Sequence, residues 1–130
     1  MNHFNVAAGI LCDSAGRVLI AERVGGGVFN GMWEFPGGKI ATGETSAEAL
    51  SRELAEELGI EVTACAPFMN LRHEYDDRTV MIEFFLVSDW NSEPVGREGQ
   101  ELRWVPRESL DASELLPADV PVVEALQTNH

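Results

Sequence analysis

The spacing of apolar and polar residues changes along the chain between strand-like and helix-like periods. Apolar-rich segments at 4–12 and 17–23 flank the sequence Asp-Ser-Ala-Gly at 13–16, which has the composition of a turn, so we expect a β-hairpin there. A nearly continuous apolar run at 79–87 predicts a strand at the centre of a sheet, because both of its faces must be covered. Further strands are expected at 61–71 and 102–105.

A helical period is clearest over 46–58, where apolar residues recur three and four positions apart. Thr45 and Glu48 have the spacing of a capping box at its start, and Gly59 stands where a glycine commonly ends a helix. The other helical segments expected are 106–110, as a turn or short helix, and 120–127, as a terminal helix opening near Pro121. The pattern therefore predicts one helix between strands and a second at the end.

Strands on both sides of a central helix predict an α/β (α+β) fold with a mixed sheet. A chain of 130 residues with 45% hydrophobic content is long enough for one domain with a real core, so we expect residues 1–130 to form a single domain. No run approaches the roughly 18 apolar residues that span a bilayer, and the first residues lack the basic region of a signal peptide. We therefore expect a cytoplasmic protein.

The charge balance narrows the range of partners. Twenty-two acidic residues against nine Lys and Arg give a formal net charge of −13. Binding of duplex DNA or RNA, or of an anionic membrane, needs basic surfaces that this composition does not supply, so we expect no nucleic acid polymer and no membrane as partner. The same charge would slow the approach of a phosphate anion unless cations changed the local potential.

Three glutamates gather on the helix predicted at 46–58. At about 100° per residue, Glu53, Glu56 and Glu57 fall on an arc beside the apolar one. The apolar arc consists of Ala47, Leu50, Leu54 and Leu58. Like charges at this spacing destabilise a helix by roughly 0.2–0.5 kcal/mol per pair, so the cluster favours a bound cation. Oxygen ligands select a hard divalent ion such as Mg²⁺ or Mn²⁺, whereas glutamates taken alone would more often form a solvated face.

The sequence Trp-Glu-Phe-Pro-Gly-Gly-Lys at 33–39 precedes this helix and strengthens the metal-site interpretation. Its paired glycines allow close approach of backbone groups to a ligand, and Lys39 can reach a phosphate. The spacing Gly-x5-Glu-x7-Arg-Glu-aliphatic-x-Glu-Glu-x-Gly-aliphatic is filled by Gly38, Glu44, Arg52, Glu53, Leu54, Glu56, Glu57, Gly59 and Ile60. This motif resembles the Nudix box. The resemblance implies the Nudix α/β/α sandwich and hydrolysis of nucleoside diphosphates linked to another moiety, with Mg²⁺ or Mn²⁺ held by glutamates.

Beyond the box, the chain is similar to the MutT-like branch of the Nudix family. The matching segments are 34–39, Asp77-Arg78, Glu98-Gly99-Gln100 and Pro117-Ala118 before Pro121. MutT-like enzymes hydrolyse nucleoside triphosphates, typically 8-oxo-dGTP, to the monophosphate and pyrophosphate, which removes an oxidised precursor from the nucleotide pool. The resemblance implies this activity here.

The resemblance also implies roles for individual residues. Glu53 would be the general base or a metal ligand on the side of the base, and Glu56 and Glu57 would hold Mg²⁺ together with the carbonyl of Gly37. Glu98 would join the metal or water network, with a surface carboxylate as the alternative interpretation. The remaining implied roles are these: Arg52, beside Glu48 and Glu56, orients carboxylates; Lys39 and Arg23 contact phosphates; Arg78 lies near the nucleotide; Phe35 and Tyr75 flank the base; and Glu44 is structural.

Substrate choice depends on Asp119, where relatives that select 8-oxoguanine commonly have asparagine. An ionised aspartate only accepts hydrogen bonds, which suits the N7–H of 8-oxoguanine but opposes its O6 unless the carboxyl is protonated. It also suits the amino group of cytosine, and Nudix enzymes acting on CTP and dCTP resemble this chain over 117–121. Three hypotheses follow: a purine triphosphate diphosphatase, a pyrimidine triphosphate diphosphatase, and a non-catalytic binding domain. Either a monomer or a homodimer is compatible with the sequence.

Overall fold

The computed structural model describes the backbone of residues 2–128 and the side chains of 3–128. The helices and strands are β1 (Asn2–Leu11), β2 (Arg17–Glu22), β3 (Trp33–Glu34), β4 (Gly37–Lys39), α1 (Ser46–Leu58), β5 (Glu61–Tyr75), β6 (Arg78–Asn91), β7 (Leu102–Pro106) and α2 (Val120–Thr128). Single 3₁₀ turns at Arg107–Ser109, Ala112–Glu114 and Pro117–Asp119 connect β7 to α2. The predicted mixed α/β class is confirmed.

The strands form two sheets. The first has the order β4-β1-β6-β5, in which β1 runs parallel to β6 and antiparallel to β4. The second is antiparallel, with the order β3-β2-β7. Ala7 of β1 lies opposite Gly38 on one side, and Phe4 of β1 lies opposite Val80 on the other. The prediction that 79–87 forms a central strand is confirmed, since β6 lies between β1 and β5.

The predicted hairpin of the first two strands is correct at its turn and wrong in its pairing. Asp13 stabilises the turn by accepting hydrogen bonds on Oδ1 from the amides of Ala15 and Arg17, at 3.0 and 2.8 Å. Within residues 2–128, β1 and β2 share one isolated bridge, from Cys12 to Val18, and then separate into different sheets. The apolar runs identify the two strands, but their partners lie far away along the chain.

Helix α1 begins and ends where the sequence signals predict. Thr45 Oγ1 accepts from the amide of Glu48 at 3.1 Å, and Glu48 Oε1 accepts from the amide of Thr45 at 2.9 Å. Gly59 ends the helix with a φ of 70°, in the left-handed region that favours glycine. On the apolar arc, the expected Ala47 is exposed and Ala49 is buried instead. Neither α-helix in the described part of the chain could cross a bilayer.

Two apolar cores cover the two faces of the first sheet. One contains α1, which packs Leu50 and Leu54 against β1, where a Cβ at Gly9 would crowd both leucines. The other lies between the two sheets and α2, and includes Phe84 and Val122. Glu53, Glu56 and Glu57 form one face of α1, which we call the acidic arc. This face therefore lies at the edge of the first core, beside the short strand β4.

Candidate active site

A cavity of about 420 Å³ opens on the face of the first sheet that packs towards the second sheet. We call it the central cavity. Its wall contains seven of the predicted site residues, namely Arg23, Phe35, Gly37, Lys39, Tyr75, Arg78 and Asp119. Gly38 also lines it, and a Cβ at Gly38 would overlap the carboxylate of Glu53. The cavity therefore adjoins the acidic arc of α1.

Strand β4 has two glycines because its backbone is closely covered on both sides. A Cβ at Gly37 would overlap the backbone oxygen of Ala7 on β1, just as a Cβ at Gly38 would overlap Glu53. These glycines are needed for close approach, since neither has a positive φ. Strand β4 thus lies with Gly37 against β1 and with Gly38 next to the carboxylate of Glu53.

Arg52 connects the glutamates of the box to the backbone of β4. Its Nε and Nη2 donate to the two oxygens of Glu44 at 2.6 and 3.0 Å, and Nη2 also donates to the carbonyl of Lys39 at 3.0 Å. Hydrogen bonds from Arg52 and from the amide of Ala41 lower the pKa of Glu44 to about 2. Glu48, one turn before Arg52 on the helix, forms the capping box with Thr45.

The same guanidinium reaches two glutamates of the acidic arc. Arg52 Nη1 donates to Glu53 Oε1 at 2.8 Å and to Glu56 Oε2 at 3.4 Å. The side chain of Glu53 is only 18% exposed, whereas that of Glu56 is 57% exposed. Of the two glutamates in the acidic arc that Arg52 contacts, Glu53 is therefore the less exposed and the more closely held.

Glu57 has the most unfavourable surroundings for a negative charge. Its Oε2 is buried and has no hydrogen-bond partner among the described residues. Burial, followed by the charges of Glu53, Glu98 and Glu34, raises the pKa of Glu57 to about 9. A buried carboxylate oxygen without a donor, surrounded by other carboxylates, is compensated best by a cation.

The donor set at this position fits a hard divalent ion. Glu53, Glu57 and the Gly37 carbonyl offer only oxygen atoms, which Mg²⁺ and Mn²⁺ prefer. Across residues 3–128, no three His, Cys, Asp or Glu side chains converge closely enough to enclose an ion as they stand. The residues therefore fit the ion by the chemistry of their oxygen atoms and by the partner-free Oε2 of Glu57 among the described residues, while Arg52 pairs with Glu53 and Glu56.

The loop at 95–100 places Glu98 next to Glu57. The amides of Val95 and Arg97 donate to the carbonyls of Leu58 and Glu57, each at 3.0 Å, so the loop is bound to the last turn of α1. Glu98 is exposed, but its charge contributes to the raised pKa of both Glu57 and Glu34. The structure thus brings Glu98 to the acidic arc.

The opposite end of the central cavity is formed by Asp119, which is buried. Its Oδ2 accepts from the amide of Phe35 at 3.3 Å, and Phe35 in turn packs edge to face on Phe84, with ring centres 6.3 Å apart. Burial, followed by the charge of Glu34, raises the pKa of Asp119 to about 8. At neutral pH the carboxyl is therefore mostly protonated, and it carries one O–H donor as well as an acceptor.

Aromatic and basic side chains form one rim of the cavity. The guanidinium of Arg78 lies 5.1 Å from the centre of the Tyr75 ring, and Phe29 packs on the same ring at 5.4 Å. On another side, the ammonium of Lys39 lies 4.0 Å from the centre of the Phe4 ring. The predicted residues Tyr75, Arg78 and Lys39 therefore face one cavity, although they come from three strands or strand ends.

Arg23 and Glu34 form an ion pair between the acidic arc and Asp119. Arg23 Nη1 lies 3.0 Å from Glu34 Oε1, and both side chains line the central cavity. Glu34 was not among the predicted site residues, yet its charge acts on both Glu57 and Asp119. In the sequence, its position between Trp33 and the cavity-facing Phe35 was the feature that could have indicated a place for Glu34 in the site. Phe4 and Gln100 were missed as well, because their importance depends on contacts across the fold.

These features fit one class of enzyme, the hydrolases of phosphoric anhydrides. The profile of the NUDIX domain family matches residues 7–125. The chain belongs to the Nudix family, whose members use a divalent metal ion.

Similar proteins with known names agree with this membership. The 8-oxo-dGTP diphosphatase of Haemophilus influenzae is 40% identical over 93% of this chain and 89% of its own length. The CTP pyrophosphohydrolase of Escherichia coli is 35% identical over 96% of this chain and 92% of its own. A structure from a study of MutT of Aliivibrio salmonicida and Vibrio cholerae is 35% identical, covers 99% of this chain and 100% of its own, and has a TM-score of 0.85.

Proposed function

We propose that this protein hydrolyses nucleoside triphosphates to the monophosphate and pyrophosphate, with 8-oxo-dGTP as the preferred substrate. The observation that carries the proposal is the central cavity, whose wall contains Gly38, next to the carboxylate of Glu53 on α1, as well as the buried Asp119, whose pKa is raised to about 8. The relative named 8-oxo-dGTP diphosphatase supports the choice of purine. We further propose that residues 1–130 act as one domain on free nucleotides in the cytoplasm, as a monomer or homodimer.

Mg²⁺ is the proposed cation, with Mn²⁺ as the alternative. Glu56, Glu57 and the carbonyl of Gly37 would hold it, and Glu53 and Glu98 would complete the set. When bound, the ion neutralises phosphate charge and polarises the phosphoryl oxygens. The partnerless Oε2 of Glu57 supports this assignment, because a buried anionic oxygen otherwise has to be protonated.

Glu53 is proposed as the general base. Arg52 donates to one of its oxygens at 2.8 Å and so fixes the orientation of the carboxylate at the edge of the cavity. Glu53 would accept a proton from the water that attacks a phosphorus of the triphosphate, while the anhydride bond breaks and pyrophosphate leaves. Arg23 and Lys39 would contact the phosphates, since both line the cavity.

The base would lie at the other end, between Phe35 and Tyr75 with Arg78 at the rim. The protonated carboxyl of Asp119 can donate its O–H to O6 of 8-oxoguanine and accept from N7–H, as an asparagine would. This removes the unfavourable contact with O6 that an ionised aspartate would make. The same protonated group supports oxidised purine over unmodified guanine, because guanine has no hydrogen on N7.

Hydrolysis of cytosine nucleotides is the second candidate function. If a bound base stabilises the ionised form of Asp119, its carboxylate accepts from the cytosine amino group. The relative named CTP pyrophosphohydrolase, which matches nearly the whole chain, favours this alternative. A non-catalytic role has less support, since a domain that only binds a nucleotide does not need Glu53, Glu56 and Glu57 together.

The test is a comparison of kcat/KM with Mg²⁺ for 8-oxo-dGTP, dGTP, CTP, dCTP and 5-hydroxy-dCTP, with released pyrophosphate measured directly. Asp119→Asn is the matched variant, because it keeps the shape of the side chain and always provides a donor. We expect 8-oxo-dGTP to be preferred by the wild type, and Asp119→Asn to increase that preference over the cytosine nucleotides. Preference of the wild type for cytosine nucleotides would establish the second candidate, and no turnover of any nucleotide would reject the proposal.

A further inference from the structure

We propose that Gln100 is a positioning residue that holds Glu98 against the acidic arc of α1. The inference rests on the proposed function, because it gives Glu98 its place in the reaction. Gln100 is polar yet only 8% exposed, and it is the last residue of the loop at 95–100, which carries Glu98. Both the nitrogen and the oxygen of its side-chain amide form hydrogen bonds.

The two hydrogen bonds of Gln100 join the loop to the helix. Nε2 donates to the backbone carbonyl of Glu57 at 3.2 Å, and Oε1 accepts from the backbone amide of Glu98 at 2.9 Å. One side chain therefore connects the backbones of two proposed cation ligands. A neutral amide can donate at one end and accept at the other, so the side chain of Gln100 can form both hydrogen bonds at once.

The carbonyls at the end of α1 are available for this purpose because they have no partner within the helix. The amides of Val95 and Arg97 occupy the carbonyls of Leu58 and Glu57, but both precede Glu98 in the chain. Gln100 shares the Glu57 carbonyl and adds the attachment that follows Glu98. Glu98 is thus held on both of its sides.

This attachment opposes an electrostatic repulsion. The hydrogen bonds of Gln100 and of the loop backbone place Glu98 beside the last turn of α1, close to Glu57, and two carboxylates that lie near each other repel when both are ionised. Without the hydrogen bonds of Gln100, the exposed loop would let Glu98 move into solvent, away from the other negative charges. Because Gln100 holds the Glu98 backbone in place, the Glu98 carboxylate stays near Glu57 before a cation binds. Ordering of the ligands on cation binding then costs less free energy.

Gln100→Met tests the proposal, because methionine has a similar size and forms neither hydrogen bond. Gln127→Met is the matched control. Gln127 Nε2 also donates to backbone carbonyls, those of Leu110 at 3.0 Å and Arg107 at 3.4 Å, but it does so on α2. We expect Gln100→Met to lower kcat by roughly 10–100-fold with little change in the KM of the nucleotide, and Gln127→Met to leave both unchanged.

A second measurement does not depend on turnover. Calorimetric titration of the nucleotide-free protein with Mn²⁺ should give a Kd that is raised about tenfold in Gln100→Met and unchanged in Gln127→Met. If the wild type hydrolyses no nucleotide, the proposed function fails while this titration still decides the role of Gln100. Equal Mn²⁺ affinity in wild type and Gln100→Met would overturn it.

A double variant separates positioning from general destabilisation. If Gln100 acts through Glu98, Gln100→Met should cause no further loss of kcat in a Glu98→Gln background. Gln100→Leu, which also forms neither hydrogen bond but has a shorter side chain, serves if the methionine variant does not fold. An equal loss of kcat from Gln100→Met in both backgrounds would contradict the proposal.

Discussion

Glu53 and Glu57 lie one turn apart on α1, yet their carboxylates differ in their hydrogen-bond donors. Arg52 donates to Glu53, whereas the buried Oε2 of Glu57 has no donor among the described residues. The difference follows from position on the helix, because Glu53 faces β4 and Arg52 while Glu57 faces the loop at 95–100. Two identical side chains therefore have different surroundings, which agrees with the different tasks proposed for them, proton transfer and cation binding.

Glu53→Gln is expected to lower kcat by roughly two to four orders of magnitude, because glutamine has nearly the same shape but cannot accept the proton from water. Glu124→Gln, on the exposed side of α2, makes the same chemical change far from the cavity and should leave kcat unchanged. Circular dichroism and thermal unfolding should be similar for both variants. Full activity in Glu53→Gln would remove Glu53 from the role of general base.

Asp119 should give the protein a measurable pH dependence of stability. Its raised pKa means that the folded state binds the proton more tightly than the unfolded chain does. The stability from this group is complete below about pH 4, is lost as the pH rises, and reaches its lowest value above about pH 8. Asp119→Asn has no titrating group at this position, so the variant does not lose this stability as the pH rises. We therefore expect the free energy of unfolding of the variant, relative to the wild type, to increase between pH 4 and 8 by up to roughly 1 kcal/mol per unit.

Denaturant unfolding at several pH values checks this expectation. The relative measurement matters because the other titrating groups are present in both proteins and largely cancel. A difference between wild type and Asp119→Asn that stays constant from pH 4 to 9 would mean that Asp119 is ionised in the folded protein. In that case its role as a donor to the purine would be lost, and the cytosine alternative would gain support.

At the scale of elements, α1 could be predicted almost residue by residue because its signals are local. The capping box, the apolar period and Gly59 all lie within one 15-residue stretch, and each is satisfied in the structure. The acidic arc followed from the same period. The error at Ala47 is of one position, because the helix presents Ala49 to the sheet instead.

The strands show what local signals cannot provide. Strands β3 and β4 have two and three residues, which is too few for a period of two to be recognised. The predicted hairpin failed because the apolar runs do not specify their partners, and β1 pairs with β6 across a long stretch of chain. Gly37 and Gly38 were predicted as ligand-facing glycines, but the covering atoms of Ala7 and Glu53 become visible only once β4 is paired.

The residues of the candidate site likewise fall into two groups, those that local sequence signals predict and those that they do not. Residues within the box, and those that match the family at other segments, could be named from the sequence, and the cavity brings seven of them together. Gln100 and Glu34 were not predicted to act, because the first works through a backbone carbonyl and the second through charge across the cavity. Such contacts are created by the fold and have no fixed spacing in the chain.

At the scale of the whole molecule, the net charge of −13 and the acidic arc oppose compaction in the absence of cations. Simple screening by salt should weaken this repulsion over the entire surface. A specific site should respond differently, because a cation that binds only the folded state stabilises it by about 2.7 kcal/mol at 100 times its Kd. The two effects can be separated by comparing divalent and monovalent salts.

MgCl₂ should raise the midpoint of thermal unfolding by several degrees more than NaCl at the same ionic strength, because binding to the acidic arc adds to screening. The excess should disappear in Glu57→Gln, which removes the buried carboxylate without altering the rest of the surface. It should persist in Glu124→Gln, where an equal charge is lost from α2. Identical effects of the two salts on the wild type would mean that Mg²⁺ acts only by screening, and the oxygen atoms around Glu57 would then not form a cation site in the free protein.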